Sequence, residues 1–564
     1  MPYDLVVRNG TVVDGTGAPR FRADVGVVGD RIAALGRIRE RGAHEMDAEG
    51  RFVTPGFVDG HTHMDAQVFW DPLGTCSCWH GVTTVVMGNC GFTLAPCRET
   101  EKDLAIRSLE RAEDIARDAM LEGITWQWET YADYLDALAR TPLGINYAGY
   151  IGHSALRTYV MGERAFEQTA TDDDLTAMRR EVESALRAGA IGFSTSRSPN
   201  HETADDRPVA SRLASWSEVE ALVDVMTGLG AGVFELAQEQ PLDPDTRADY
   251  ARRLRDLAVT SGRPITYVVG MSPAAPDAWR DALDLLDDIA ARGGRVTGQV
   301  HSREFLSIIG FKVNLPFDRL PGWAEMRSRP LAEQRAALAD PARRAALVAE
   351  AHAGRYGAAI GAEVRPPQYD AIRVLDAPEG PYRTVAEVAA ERRADPVDVM
   401  IDLSLERDLA LFFAQPFANQ DLGAVRTMLE HPRTVVAISD SGAHVSQIID
   451  ASVPTHFLSH WVRAEQVFTW EQGVRKLTSD PARLWGFADR GVVAEGYAAD
   501  LTVFDPGTIA PALPDAARDL PAGALRLTQR ATGIDATVVN GRVLLVDGEP
   551  TGDLPGRLLR GRLA

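Results

Sequence analysis

The sequence predicts an α/β fold built on a (β/α)8 barrel, also called a TIM barrel, with a small β-domain beside it. Through the middle of the chain, short apolar runs alternate with amphipathic helical stretches, which is typical of a parallel α/β fold. Near both ends the pattern changes to β-prone runs separated by tight turns. The 564 residues exceed one ordinary core, so a large domain and a smaller one are expected.

The β-prone runs at the two ends predict hairpins. Residues 3–14 carry two strand signals around an Asn-Gly pair, and residues 24–35 repeat the pattern around Gly-Asp. Near the end of the chain, a strand at 500–504 precedes a hairpin at 536–547 that again turns on Asn-Gly. We therefore expect the two ends to pair into one small β-domain.

Eight segments of the middle are predicted to be the barrel strands. Helical segments separate most of them, for example residues 172–188, which follow the capping candidate Thr171. In such a barrel the chemistry lies at the C-terminal ends of the strands. The predicted strands are, in order, 56–63, 82–88, 145–152, 190–195, 232–236, 264–269, 295–301 and 434–440.

These patterns divide the chain into three parts. The barrel is predicted to span residues 55–486, while residues 1–54 and 487–564 form the small β-domain. Residues 302–433, which connect the seventh and eighth strands, are too many for a plain loop of a barrel. This connection contains charged helical stretches, and we expect an inserted subdomain or a lid over the site.

Charge and hydropathy limit the partners. The net charge of −21 argues against nucleic acid and anionic membrane surfaces, because both attract clustered cations. No run approaches the roughly 18 apolar residues of a membrane span, and no basic segment followed by an apolar stretch opens the chain. The sequence predicts a cytoplasmic protein that acts on a small molecule and binds neither nucleic acid nor membrane.

The strongest chemical signal is the pair His61 and His63 at the end of the first predicted strand. Residues two apart on a β-strand point to the same face, so both imidazoles can reach one metal ion. Such a pair suits Zn²⁺ or a similar divalent ion and leaves positions for other ligands and a water. The alternative is two polar side chains on a surface loop.

The other predicted strands also deliver polar residues to their C-terminal ends. Stability alone would not predict polar groups placed so regularly, whereas several good metal ligands on one face predict a metal site. These residues are Cys90 after strand 2, His153 after strand 3, Ser194, Ser196 and Arg197 at strand 4, Glu235 at strand 5, His301 and Arg303 at strand 7, and Asp440 and His444 at strand 8.

Three segments carry a resemblance to a known family. They are VTPGFVDGHTH at 53–63, GVTTVVMGNCG at 81–91 and SDSGAH at 439–444. Together they resemble the amidohydrolase superfamily, and they are most similar to its branch of N-acyl-D-amino-acid deacylases, or D-aminoacylases. The terminal β-segments match that family's composite β-sandwich, so the resemblance covers nearly the whole chain. It implies a metal-dependent hydrolase of non-peptide amide bonds.

The resemblance also implies a ligand set. His61 and His63 would bind the metal, and Cys90 would be the thiolate ligand that this branch uses where other amidohydrolases use a carboxylated lysine. None of the three lysines of the chain lies at the end of strand 4, which agrees with Cys90 in this role. Asp440 would contact the metal, take a proton from water and deliver it to the leaving nitrogen. A thiolate ligand suits zinc.

The chain departs from the family pattern at two expected ligands. Glu235 stands where the family has a histidine at the end of strand 5, and Tyr267 stands where it has one at the end of strand 6. Glutamate is an acceptable zinc ligand, whereas tyrosine is a poor one. We expect one metal ion held by the strand 1 histidines and Asp440, with Cys90 or Glu235, or else weak occupancy.

The remaining candidates would act on the substrate. His301 is either a substitute ligand or a substrate contact, and His153 or His301 would stabilise the oxyanion. Arg197 or Arg303 would bind a substrate carboxylate through a bidentate pair, although each also has an ordinary reading as a salt bridge. The residues predicted to contact substrate are Arg197, Tyr267, His301, Arg303 and His444.

Two alternatives stay open at this point. A cyclic-amide hydrolase of the hydantoinase or dihydropyrimidinase type would be favoured by a carboxylated lysine at strand 4, which the chain lacks. The altered residues Glu235 and Tyr267 also fit a barrel that has lost catalysis and serves as a binding or assembly protein. Stoichiometric metal would separate an enzyme from such a scaffold. A homo-oligomer is expected from the resemblance alone.

Overall fold

The chain begins with a group of β-strands, in a computed structural model that describes residues 2–240, 243–357, 362 and 365–563. The first strand pairs with the second on one side, and with the fourth and fifth on the other. The strands are β1 (Tyr3–Val12), β2 (Phe21–Val28), β3 (Arg31–Gly36), β4 (Gly42–Asp47) and β5 (Phe52–Pro55).

The Asn-Gly pair near the start of the chain is not a hairpin turn, so that prediction is wrong. β1 runs unbroken through Asn9 and Gly10, with Asn9 at φ 60° and a register shift against β2 after Val7. A β-bulge accommodates the left-handed residue that suggested a turn. Packing requires the glycine, because a Cβ at Gly10 would lie 2.5 Å from Val53 Cγ2 on β5.

The eight predicted barrel strands are present and pair in parallel, which gives an α/β domain of the TIM-barrel type. They form a six-stranded and a three-stranded sheet in chain order, and the third predicted strand is split between the two sheets. The first and eighth strands are shorter than predicted. The first seven are β6 (Phe57–Asp59), β7 (Val82–Met87), β8 and β9 (Asn146–Gly149 and Ile151–Gly152), β10 (Gly192–Ser196), β11 (Val233–Ala237), β12 (Pro264–Val268) and β13 (Arg295–Val300).

Burial and capping explain why these segments take their observed form. Every residue of β7 is buried, as expected for a parallel strand covered on both faces. The helix at 172–188 has the predicted bounds, because a capping box between Thr171 and Asp174 starts it and Gly189 at φ 118° ends it. The helices up to the seventh strand are α1 (Lys102–Ala112), α2 (Arg117–Gly123), α3 (Tyr131–Arg140), α4 (His153–Met161), α5 (Asp172–Ala188), α6 (Trp216–Leu229), α7 (Pro244–Ser261) and α8 (Ala278–Ala291).

The region 302–433 contains a hydrophobic cluster of its own, with Trp323 fully buried at its centre. Its three strands are antiparallel, in the order β14-β16-β15. Residues 358–361 and 363–364 of this predicted insertion lie outside the described residues. Its elements are β14 (Phe305–Gly310), α9 (Pro321–Arg327), α10 (Leu331–Ala339), α11 (Pro341–Ala353), β15 (Arg373–Val374), α12 (Val385–Arg392), α13 (Pro396–Glu406) and β16 (Phe412–Ala418).

A helix near the end of region 302–433 packs against the main core. The helix α14 (Leu422–Glu430) buries its apolar face in the main core and leads into the eighth strand, β17 (Thr434–Val436). A mixed segment of helical turns then returns the chain to the terminal strands. It consists of α15 (Val453–His456), a π-helix (Phe457–Ala464), α16 (Trp470–Leu477) and α17 (Ser479–Trp485).

The first and eighth barrel strands meet at their C-terminal ends. Thr62 and Ser441, just beyond β6 and β17, form a parallel bridge. The N–H of His63 donates to the Ser441 carbonyl at 2.8 Å, and the N–H of Asp440 donates to the His61 carbonyl at 3.2 Å. The backbone therefore places the histidine pair of strand 1 beside the aspartate of strand 8.

Strands from both ends of the chain share one sheet, in the order β23-β22-β21-β18-β5-β1-β2-β3, with β4 also on β1. The hairpins predicted at 24–35 and 536–547 are confirmed as β2-β3 and β21-β22. The ribbon β19-β20 stands apart from this sheet. The last strands are β18 (Leu501–Phe504), β19 (Ala510–Ala517), β20 (Arg526–Thr532), β21 (Ile534–Val539), β22 (Arg542–Val546) and β23 (Glu549–Pro550).

Short turns and hydropathy complete the description of the fold. Across the ranges that the structure describes, no helix combines the length and the apolar character needed to cross a bilayer. The 3₁₀ turns are Gln67–Phe69, Ser77–His80, Asn89–Gly91, Glu99–Glu101, Gly162–Phe166, Ala210–Leu213, Asp450–Ser452 and Pro521–Gly523.

Candidate metal centre

His61 lies just beyond β6 with one ring nitrogen held by a neighbour. Its Nδ1 is 2.7 Å from Oε1 of Gln299 on β13, and the Gln299 amide nitrogen donates to Thr266 Oγ1 at 3.1 Å. Because Thr266 uses the amide nitrogen, the Gln299 oxygen accepts and Nδ1 of His61 carries the proton. Nε2 of His61 is left with a lone pair, which is the form of imidazole that binds a metal.

The thiol of Cys90 lies beside this nitrogen. Its Sγ is 3.4 Å from His61 Nε2, and among the described residues His61, His63 and Cys90 offer ligand atoms within 4.8 Å of one another. Cys90 occupies the turn directly after β7, with φ 54°, and all three side chains are buried. Two imidazoles and a thiolate form a donor set of the zinc type.

Asp440 faces both histidines from the eighth strand. Its Oδ1 is 3.5 Å from His61 Nε2 and 3.7 Å from His63 Nε2. Its φ of 49° is unusual for a residue with a side chain, and such strain is found at functional sites. Burial, followed by the charges of Asp450 and Asp59, raises the pKa of Asp440 to about 8.

Glu235 on β11 contacts the turn that carries Cys90. Its Oε2 accepts the backbone N–H of Cys90 at 2.7 Å, while its Oε1 is buried and has no hydrogen-bond partner. Burial raises the pKa of Glu235 to about 8 against the opposing hydrogen bond from Cys90, and the charge of Asp440 adds to the rise. Glu235 therefore positions the Cys90 turn and keeps one oxygen available.

Glu113 also reaches this site, although no sequence pattern singled it out. It follows α1, its side chain is buried, and its Oε2 lies 3.5 Å from His63 Nε2 and 3.7 Å from His444 Nε2. Burial, followed by the charges of Asp440 and other nearby carboxyls, raises the pKa of Glu113 well above its ordinary value. His444, which was predicted from its spacing to Asp440, borders the same group.

The donor atoms have the spacing of ligands around a divalent ion. Two ligands of a tetrahedral zinc lie about 3.3–3.7 Å apart, since Zn–N is near 2.0 Å and Zn–S near 2.3 Å. The separations of His61 Nε2 from Cys90 Sγ, and of Asp440 Oδ1 from both imidazoles, are 3.4, 3.5 and 3.7 Å. A cation here would also offset the cost of burying neighbouring carboxylates. The residues present therefore fit a divalent metal ion.

Two of the predicted site residues are engaged outside this group of donor atoms. The ring nitrogens of His153 lie 2.8 Å from Thr195 Oγ1 and 2.9 Å from Glu218 Oε1. The hydroxyl of Tyr267 donates to the Ala282 carbonyl at 3.1 Å, and its ring is buried. These contacts engage both ring nitrogens of His153 and the hydroxyl of Tyr267, and they hold neighbouring elements together.

Arg197 is also engaged away from these donor atoms. Its Nε donates to Glu239 Oε1 at 3.2 Å, and its Nη1 donates to the Ala214 carbonyl at 2.5 Å. Glu239 is paired in turn with Arg253 at 2.9 Å. Arg197 is thus linked through Glu239 to Arg253 on α7.

His301 and Arg303 lie together at the end of β13, around Asp450. His301 Nε2 is 3.2 Å from Asp450 Oδ2, and Arg303 Nη2 donates to Asp450 Oδ1 at 2.8 Å. Nε of Arg303 is buried without a hydrogen-bond partner. Asp450 borders a partly open cavity that Asp440 and Arg526 also line. This cavity extends from Asp440 to Arg526 and Leu527 on β20.

The chain is similar to known proteins over nearly its whole length. The family model described as "Amidohydrolase family" matches residues 44–545. The chain is 31% identical to a D-aminoacylase from Alcaligenes xylosoxydans xylosoxydans, over 99% of this chain and 98% of that protein. It is 29% identical to an N-acyl-D-glutamate deacylase from the same organism, over 99% of this chain and 96% of that protein.

Solved structures give the same result. The crystal structure of a D-aminoacylase superposes with a TM-score of 0.65 at 27% identity, over 99% of this chain and 100% of that chain. The N-acyl-D-glutamate deacylase from Bordetella bronchiseptica superposes with a TM-score of 0.67 at 26% identity, with the same coverage. The latter structure contains zinc and a phosphonate inhibitor that mimics the tetrahedral intermediate of its reaction.

Proposed function

This chain belongs to the amidohydrolase family, and we propose that it is a metal-dependent hydrolase that removes the acyl group from an N-acyl-D-amino acid. It acts on carbon–nitrogen bonds other than peptide bonds and takes a small-molecule substrate. The observation that carries the proposal is the convergence of His61, His63 and Cys90 with Asp440 at the ends of strands 1, 2 and 8.

The metal ion is held by the imidazoles of His61 and His63, the thiolate of Cys90 and a carboxylate oxygen of Asp440 or Glu235. We propose zinc, because imidazole and thiolate together favour it over harder cations. When bound, such an ion polarises the amide carbonyl and lowers the pKa of water. Gln299 keeps His61 in the tautomer and orientation that the ion requires.

Asp440 moves the proton in the proposed reaction. Its Oδ1 faces the histidine pair and its side chain lines the cavity, so it can meet both the attacking water and the scissile amide. It takes a proton from water as general base and returns it to the leaving nitrogen as general acid.

The substrate carboxylate is assigned to the strand 7 side of the cavity. Of the two arginines predicted for this role, Arg303 is favoured, because it donates to Asp450, which lines the cavity, and has an unpartnered Nε. The ion pair of Arg197 with Glu239 argues for a structural part. His301 lies next to Arg303 and is proposed as a substrate contact, whereas His153 and Tyr267 are proposed to position their strands.

Several finer predictions also belong to this proposal. We infer that the eight strands close into a barrel, which the Thr62–Ser441 bridge supports. The domain bounds 1–54 with 487–564, 55–486 and the 302–433 insertion, the composite β-sandwich, the cytoplasmic location and a homo-oligomer stay predictions. The cyclic-amide alternative gains no support, since Lys102, Lys312 and Lys476 pair with residues away from the metal ligands.

The test combines metal content with a substrate panel. Zinc per chain is measured in wild type, Cys90→Ala and Glu235→Ala, beside hydrolysis of N-acetyl-D-amino acids, N-acetyl-L-amino acids and hydantoin. We expect about one zinc or more in wild type, loss in Cys90→Ala, and preference for the D-configured linear amides. Wild type without stoichiometric metal would reject the metal-dependent mechanism, and hydantoin as the preferred substrate would favour the cyclic-amide hydrolase.

A further inference from the structure

Glu113 occupies a position that the strand ends do not explain. It lies in the connection between α1 and α2, yet its carboxylate stands between His63 from strand 1 and His444 from the segment after strand 8. Only 2% of its side chain is exposed. A carboxylate in such a place is costly to bury unless it is paired or coordinates a cation.

The backbone holds Glu113 firmly in this place. The N–H of His444 donates to the Glu113 carbonyl at 2.5 Å. The next residue, Asp114, accepts hydrogen bonds from Ser446 Oγ at 2.7 Å and from Gln447 Nε2 at 2.9 Å. The connection after α1 is thereby tied to the segment that follows Asp440, so the carboxylate of Glu113 has little freedom to turn to solvent.

The distances at Glu113 fit ligation better than direct hydrogen bonding. Its Oε2 is 3.5 Å from His63 Nε2 and 3.7 Å from His444 Nε2, beyond the 2.7–3.2 Å range typical of N–H···O hydrogen bonds. Both separations match the roughly 3.3–3.7 Å between two ligands of one tetrahedral ion. The other oxygen, Oε1, is buried with no hydrogen-bond partner. Two imidazoles and one carboxylate are also a known catalytic zinc set.

We propose that Glu113 is a metal ligand, whose Oε2 binds the same zinc-type cation as His63 Nε2 and adds a carboxylate to its ligand set, with His444 Nε2 next to it. This inference rests on the proposed metal-dependent function and adds a donor from outside the strand ends. It explains how the chain retains a metal although Tyr267 gives its hydroxyl to the Ala282 carbonyl. A carboxylate from a helix connection takes over part of the ligation that strand 6 does not provide.

The test compares Glu113→Gln with a matched neighbour, Asp114→Asn. The glutamine keeps the size of the side chain and removes the charged donor, whereas Asp114→Asn removes a charge from the same loop, keeps an acceptor oxygen for Ser446 and Gln447, and leaves every proposed donor unchanged. Zinc stoichiometry and zinc Kd are measured by competition with a chromophoric chelator, and the absorption spectrum is recorded with cobalt in place of zinc. Circular dichroism and thermal unfolding of the metal-free proteins check that both variants fold.

We expect Glu113→Gln to lose one metal equivalent or to weaken zinc binding more than about 100-fold, beyond the effect typical of residues that only orient a ligand. Its cobalt spectrum should change, and Asp114→Asn should retain wild-type binding and spectrum. Wild-type stoichiometry, a loss below 100-fold and an unchanged cobalt spectrum in Glu113→Gln would overturn the inference while leaving the proposed function intact. Wild type that binds no zinc would reject both.

Discussion

Two buried polar groups of this chain share histidine and glutamate but differ in how completely their polar atoms are paired. The first is the proposed metal-ligand group of His61, His63, Cys90, Asp440, Glu113 and Glu235. The second, which we call the strand 3–4 cluster, consists of His153, Arg157, Thr195 and Glu218. Both lie near the C-terminal ends of barrel strands, and both contain a histidine beside a glutamate.

In the strand 3–4 cluster nearly every polar atom has a partner. Arg157 Nη1 donates to both Glu218 oxygens at 2.6 Å, and both ring nitrogens of His153 are engaged. Burial opposes ionisation of Glu218, but the hydrogen bond and charge of His153, with those of Arg157, outweigh it and lower its pKa to about 2. Only Arg157 Nε is buried without a partner among these described residues.

In the metal-ligand group the pairing is incomplete. Nδ1 of His63, Oε1 of Glu113 and Oε1 of Glu235 are buried with no hydrogen-bond partner, and the pKa values of Glu113, Glu235 and Asp440 are all raised. A buried group is stable when its charges are matched. Residue type therefore does not distinguish a binding site from a structural cluster. The pairing of the buried polar atoms distinguishes them.

The largest effect is expected for Asp440→Asn. Asparagine keeps the size of the side chain but cannot take a proton from water, so kcat should fall about 10²–10⁴-fold when the enzyme is saturated with zinc. Steady-state kinetics with zinc content measured on the same sample would check this. Asp174→Asn, which alters the cap of α5 away from the site, should stay within about twofold. A kcat of Asp440→Asn near wild type would remove Asp440 from the mechanism.

The second largest effect is expected on the stability of the strand 3–4 cluster. Glu218→Ala leaves Arg157 and His153 buried without their acceptor, which should lower the free energy of unfolding by about 3–5 kcal/mol. Urea unfolding of the metal-free protein measures this, with zinc per folded chain expected to equal wild type. Glu430→Ala, which breaks the exposed pair with Arg426, should cost no more than about 0.5 kcal/mol. Equal losses of unfolding free energy in the two variants would contradict a structural role for the pairing of Glu218.

The sequence predicted those members of the proposed metal-ligand group that stand at the end of a strand with a recognisable local pattern. The buried run of β7 and the His-x-His spacing define strand ends by themselves, so Cys90 and the histidine pair were found. Glu113 was not found, because its place depends on the hydrogen bonds of residues 113–114 to the segment after Asp440, between chain positions more than 300 residues apart. No local pattern carries such a tertiary contact.

The hairpin turn predicted at Asn9-Gly10 is wrong for a related reason. An Asn-Gly pair signals a residue with positive φ, and both a hairpin turn and a β-bulge can use it. At Asn9 the choice is made by β4 and β5, which cover the other edge of β1 and extend it through the pair. Similarly, the sequence pattern predicts that Tyr267 lies on β12. It does not predict that the hydroxyl donates to Ala282 on α8, because that contact depends on how the helix packs.

A smaller effect is expected at the residue that orients His61. Gln299→Leu removes the acceptor for Nδ1, so the imidazole loses its preferred tautomer and zinc affinity should fall about 10–100-fold. Chelator competition measures the change. Thr266→Val, which only frees the Gln299 amide, should produce a smaller loss in the same direction. If Thr266→Val loses more zinc affinity than Gln299→Leu, Gln299 does not act through the tautomer of His61.

The smallest effect concerns His80, whose two ring nitrogens are both engaged, as those of His153 are. His80 is fully buried, with Nδ1 2.8 Å from Thr455 Oγ1 and Nε2 3.1 Å from the Gln529 carbonyl. Burial lowers its pKa from 6.5 to about 3, against the hydrogen bond to Gln529 and with the help of the Arg303 charge. Between pH 6.5 and about 3, His80 is therefore protonated in the unfolded chain but neutral in the folded protein.

The sign of the pH dependence follows from this difference. Above pH 6.5 the neutral imidazole contributes its full stability, and the contribution is lost as the pH falls from 6.5 towards about 3. One proton changes the free energy of unfolding by at most about 1.4 kcal/mol per pH unit. Urea unfolding at pH 7 and pH 5.5 should therefore show a loss in wild type that exceeds the loss in His80→Gln by about 1 kcal/mol. Parallel losses would mean that His80 takes up its proton in the folded state, and complete pairing would then not be enough to keep a buried histidine neutral.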